Sequence, residues 1–79
     1  MKLVETILYR QWQNFKAKSK EYQSEENADF ADCQLRAAIE TGIIIEPTDI
    51  DEMPVSEVME LYKAFTDLYV KSVQPETKN

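Results

Sequence analysis

Histidine is absent from this 79-residue chain, and cysteine and glycine each occur once. Each shortage removes a class of chemistry. Without histidine there is no Ser-His or Cys-His pair and no imidazole general base. A single cysteine, Cys33, closes no intrachain disulfide and cannot by itself build a zinc site. A single glycine, Gly42, cannot supply a glycine-rich phosphate loop. No apolar run approaches the roughly 20 residues needed to cross a bilayer, so no membrane association is expected. The opening "MKLVETILYRQW" is interrupted by Glu5, Arg10 and Gln11 and reads as a helix, not a signal peptide. A lone thiol without a signal points to a reducing, cytoplasmic setting.

Carboxylates are what remain for catalysis or metal binding. Asp49-Ile50-Asp51 has the start of a calcium-loop spacing. Its third acidic position is off, the central glycine is missing, and Glu60 reaches the twelfth position only by counting. No catalytic residue, metal or cofactor is therefore expected, and the chain reads as a non-enzyme. Cys33, beside Phe30 and Ala37 on a helical stretch, reads as a small buried hydrophobe.

The formal net charge is -6, spread unevenly. Residues 1–20 hold Lys2, Arg10, Lys16, Lys18 and Lys20 against Glu5, a local balance of +4. The remainder holds four basic residues against fourteen acids, a balance of -10. Seven acids and no lysine or arginine fall between Glu40 and Glu60. Such asymmetry bears on partners and solubility rather than on fold. The lysines of the first segment sit beside its aromatic stripe as a solvated basic face, and the acidic remainder repels phosphates, so direct nucleic-acid binding is not expected.

Three helical patterns follow one another. Val4, Leu8, Trp12, Phe15, Ser19 and Tyr22 recur every three or four residues and predict a helix over about 3–22. Ser24 or Asn27 can cap a second helix over about 27–41, with Phe30, Ala31, Leu35, Ala38 and Ile39 inward and Gly42 as its left-handed stop. Pro54 suits the first turn of a third helix over about 54–73, striped by Val55, Val58, Tyr62, Phe65 and Tyr69. Leu8, Trp12, Phe15, Leu35, Ile39, Val58, Tyr62 and Phe65 form the expected core. Trp12 is read as core, with a partner anchor as the alternative. The fold class is all-α: one domain over 1–74, a bundle of three main helices, and a polar flexible tail over 75–79.

Between the second and third helices lies "GIIIEPTDIDEM", the most apolar run beside the most acidic one. Three β-branched residues are few for a strand, and no second strand is evident, so an irregular strap across the helices is expected. Thr48 and Asp51 have the spacing of a capping box, which would form one short helical turn with Ile50 and Met53 inward. Ile43 and Ile45 are expected inward and Ile44 exposed. An exposed Ile44 rimmed by Glu46, Asp49, Asp51 and Glu52, with Glu57 and Glu60 on the helix that follows, has the apolar centre and charged rim of a protein-docking site. The duller reading is a solvated loop over a buried strap.

From Leu35 onward, "LRAAIETGIIIEP" and "DEMPVSEVMELYKAF" resemble a pattern of small phage-encoded accessory proteins, including tail assembly chaperones. The resemblance covers roughly half the chain. It implies a non-enzymatic protein that binds another protein, in the host cytoplasm, with no catalytic residues to carry over. The expected function is thus a phage-type assembly chaperone or adaptor. The alternative is an acidic nucleic-acid mimic that inhibits a host nucleic-acid-handling protein. Seventy-nine residues without disulfide or metal give little core to spare, and the third helix carries more apolar surface than one neighbour covers, so a homodimer or larger assembly is expected as well.

Overall fold

The computed structural model describes residues 1–26 and 28–73. Its elements run β1 (Lys2–Leu3), α1 (Tyr9–Gln23), α2 (Phe30–Glu40), β2 (Ile44–Glu46) and α3 (Val55–Val73). Three helices carry the fold, as their apolar spacing predicts. The expected tail over 75–79 lies outside the described residues, as does Asn27, one of the two caps expected for the second helix.

Helix α2 is the element against which the others pack. Asp29 caps it: its Oδ2 accepts the Asp32 amide at 2.9 Å. Ala37 and Ala38 are wholly buried, and their small side chains let neighbouring backbones approach closely. The helix stops at Gly42, whose φ of 81° suits a residue without Cβ. There the Gly42 amide donates to Ile39 O at 3.2 Å and the Ile43 amide to Ala38 O at 2.9 Å. This paired C-terminal motif satisfies two orphan carbonyls and turns the chain back over the core.

The turn delivers the isoleucines into a two-stranded antiparallel sheet, which corrects the expectation of an unpaired strap. Strand β2 pairs with β1 near the N-terminus, Lys2 opposite Glu46 and Leu3 opposite Ile44. The Val4 amide adds a bond to Ile43 O at 3.0 Å. The first helix accordingly starts at Tyr9 instead of residue 3, because the opening residues are extended. The Leu8 carbonyl accepts from the Trp12 amide at 2.9 Å. Gln11 Oε1 in turn accepts the Leu8 amide at 3.1 Å. Ile7 is tied across the fold, its amide donating to Ser72 Oγ at 3.2 Å. Leu8, expected in the core, is 63% exposed because the helical stripe it would continue begins only after it.

From Trp12 onward the stripe holds. Phe15 and Ser19 are buried, and Trp12 and Tyr22 pack at the margin of the core. The Ser19 hydroxyl is matched by Gln23 Nε2 at 2.9 Å. Phe15, Phe65 and Tyr69 join α1 to α3 through tilted ring pairs 5.3 to 5.8 Å apart. Trp12 Nε1 donates to the Tyr69 hydroxyl at 3.1 Å, and Lys16 Nζ lies 3.8 Å from its ring centroid. The largest wholly buried side chains are Phe65, Leu35, Ile43, Ile44 and Leu61, each worth about 1.5–3 kcal/mol of transfer free energy. Ile39, Val58 and Tyr62 are half-buried around this centre. Ile43, Ile44 and Leu61 take the central places expected for Leu8 and Trp12.

Candidate functional site

The connection from Glu46 to Pro54 determines where the acids go. Asp49 Oδ1 accepts the Asp51 amide at 2.9 Å, an Asx turn in place of the expected Thr48 capping box. The Met53 amide then donates to Ile50 O at 3.2 Å, closing a turn instead of a helical one. Ile50 is buried and Met53 half-buried, both inward as expected. The Pro54 carbonyl accepts from the Glu57 and Val58 amides at 3.0 and 3.1 Å, which launches α3 from this turn.

Arg36 anchors the outer side of the connection. Its Nε donates to Asp32 Oδ2 at 2.9 Å, and its Nη2 donates to Asp51 Oδ1 at 2.7 Å. These charge-assisted bonds hold the guanidinium protonated well above its ordinary range, with Asp32 the larger cause and Asp51 the second. The Asp32–Arg36 spacing of four is readable on a helix. The reach to Asp51 is not, because it depends on the turn.

The seven acids between Glu40 and Glu60 separate into distinct roles. Glu40 accepts from the Tyr22 hydroxyl; that bond chiefly, with burial second, raises the phenol's pKa. Asp51 is engaged by Arg36. Glu52 is exposed outside the groove. The remaining four, Glu46, Asp49, Glu57 and Glu60, line one groove of about 930 Å³. Met1, Pro47 and Met53 contribute apolar surface to it, and among the described residues no lysine or arginine lines it. Glu57 and Glu60 come from adjacent turns of α3, where a spacing of three puts them on one face. Glu46 closes β2, and Asp49 belongs to the loop that bends from β2 to α3.

Among the described residues no group of three or more acid or thiol ligands converges on a point that could hold a metal ion. No described helix is long and apolar enough to cross a membrane. Cys33 is buried, and desolvation first, then Asp32, pushes its thiol pKa up, which disfavours the nucleophilic thiolate.

The apolar centre expected at Ile44 is not there. Ile44 is 1% exposed, opposite Leu3 on the covered face of the sheet. Ile43 is also buried, and Ile45 is 42% exposed, the reverse of the expected order for the last two. A register irregularity explains this. One step along β1, from Lys2 to Leu3, matches two steps along β2, from Glu46 to Ile44. Ile45 is therefore the extra residue of a bulge, which turns its side chain outward. The apolar part of the groove comes from Met1, Pro47 and Met53, residues that the sequence pattern did not single out as a site. Comparison of the chain with protein-family models, with curated proteins and with solved structures finds no match.

Proposed function

We propose that the chain is a non-catalytic protein-binding module of the assembly-chaperone or adaptor kind, which holds a basic, partly apolar segment of another protein in the groove between β2 and α3. The observation that carries the reading is the convergence of Glu46, Asp49, Glu57 and Glu60, from separate segments, around Met1, Pro47 and Met53 without a basic side chain among the lining residues. Apolar surface in the middle of a contact supplies most of the binding energy, and rim charges mainly set association rate and partner choice. The resemblance of "LRAAIETGIIIEP" and "DEMPVSEVMELYKAF" to small phage-encoded accessory proteins points the same way.

The test is capture of partners from the native host or infected cells by three baits: the wild type, Met53→Asp, and Glu57→Lys with Glu60→Lys. A groove that grips an apolar segment loses its partner with Met53→Asp. The double charge reversal then weakens capture mainly at low salt. An acidic inhibitor that mimics nucleic acid behaves in the opposite way, tolerating Met53→Asp and failing on charge reversal. Undiminished capture by both variants contradicts docking in the groove.

A further inference from the structure

Helix α3 carries a second apolar surface that borders its core face and shares the half-buried Tyr62 with it. At 3.6 residues per turn, Val55, Met59, Tyr62, Thr66, Val70 and Val73 fall within an arc of about 80°. Leu61 and Phe65 mark the buried face beside it. Val55, Met59 and Val70 are 75, 51 and 47% exposed. Thr66 belongs to this arc only through its carbon atoms, because its Oγ1 is fully buried and has no hydrogen-bond partner. The charged face that carries Glu57, Glu60 and Lys71 begins on the far side of Lys63 and Asp67.

We infer that this arc is a self-association surface on which α3 of a second copy packs antiparallel about a two-fold axis near residue 64. Three features of the chain point to a second copy. First, the arc is self-complementary. An axis at that point sets Val55 against Val73, Met59 against Val70 and Tyr62 against Thr66 of the second copy, as an isologous contact requires. Second, Lys63 and Asp67 flank the arc, so the same axis places Lys63 of each copy near Asp67 of the other. A parallel pair would put the two Lys63–Asp67 flanks on opposite sides of the contact, out of reach of one another. Third, the two ends of the arc match in shape. A slot of about 330 Å³ opens at the N-terminal end of α3, its apolar side made by Leu35, Val55 and Met59 and its lining shared with the charged Asp32, Arg36 and Asp51. Val70 projects about 16 Å further along the helix. Antiparallel pairing seats Val70 of each copy over the slot of the other. Glu57 and Glu60 point away from the arc, so this contact does not depend on the groove reading.

A contact one helix wide is small beside the roughly 800 Å² per partner of a standard interface, so the dimer is weak, with a Kd on the order of 10–100 μM. Sedimentation velocity from about 5 to 500 μM spans that range. The wild type is expected to pass from monomer to dimer. Val70→Asp, at an exposed position, should weaken association more than tenfold, while circular dichroism still reports the wild-type helix content and melting point. Lys63→Asp and Asp67→Lys should each weaken association about fivefold to tenfold, and the double variant should restore it. A wild type that stays monomeric throughout overturns the inference. So does a dimer indifferent to Val70→Asp, or a charge-swapped double variant no better than either single one.

Discussion

Arg36 Nη2 meets Asp51 Oδ1 at 2.7 Å while its Nε holds Asp32 at 2.9 Å, so one side chain fastens the acidic connection to α2. This clasp lies across the loop from the groove. The Asp51 side chain is thereby paired with Arg36, while Asp49, whose Oδ1 accepts the Asp51 amide, lines the groove. All three side chains are a third or more exposed, so solvent screens the pairs and the clasp contributes about 1 kcal/mol or less. Arg36→Met is expected to lower stability by that amount. It should also speed amide hydrogen exchange at Asp49 to Met53 while leaving α2 protected. Unchanged exchange in the loop would show that the turn forms without the clasp.

Ile44 and Ile45 are neighbours with opposite expected responses. Ile44→Ala removes a wholly buried side chain and should cost about 2–5 kcal/mol, a large part of the stability of a small domain. Ile45→Ala, at the outward bulge position, should change stability by about 0.5 kcal/mol or less. Urea denaturation of the two variants side by side measures the difference. Similar losses from both would contradict the strand register.

Trp12 lies at the edge of the core, with its Nε1 bonded to Tyr69 and Lys16 beside its ring. Its truncation to alanine should cost about 2–3 kcal/mol, less than the 3–5 typical of a fully buried aromatic. Tyr69→Phe leaves the Trp12 donor without its partner and should cost about 1 kcal/mol. Thermal melts of both variants check these values. A Trp12→Ala variant as stable as the wild type would remove Trp12 from the core.

Cys33 should react slowly with a disulfide reagent in the native protein and at the ordinary rate in denaturant, because burial both shields the thiol and raises its pKa. The sign for stability follows from that direction. A raised folded pKa keeps the neutral thiol, so its contribution is complete below the unfolded pKa and is lost as pH rises through the folded one. Native labelling as fast as unfolded labelling would mean that the α2 face is open.

The helices were legible in the sequence where local rules act alone. The stop at Gly42 follows from chemistry within a few residues of it, and the stripe from Trp12 to Tyr22 from helical spacing. The strand pair was not legible, because Lys2–Leu3 and Ile44–Glu46 lie some forty residues apart and are too short to show alternation. That one hidden contact accounts for the late start of α1, the exposure of Leu8 and the exchanged places of Ile44 and Ile45. Of the site, the acids were visible as a run, but their sorting was not. It depends on the Arg36–Asp51 contact across fifteen positions and on the turn from Asp49 to Met53. Met1 entered the groove only through β1, so no local pattern could have named it.

Site-specific photo-crosslinking tests the groove most directly. A benzophenone side chain placed at Glu57 or Glu60 faces the groove, whereas one at Lys20 on α1 does not line it. In extracts of the native host or infected cells, the two groove positions are expected to trap the same protein, Lys20 to trap none of it, and Met53→Asp to abolish the adduct at both. Equal trapping from Lys20, or an adduct at Glu60 that survives Met53→Asp, would contradict the groove as the place where this chain holds its partner.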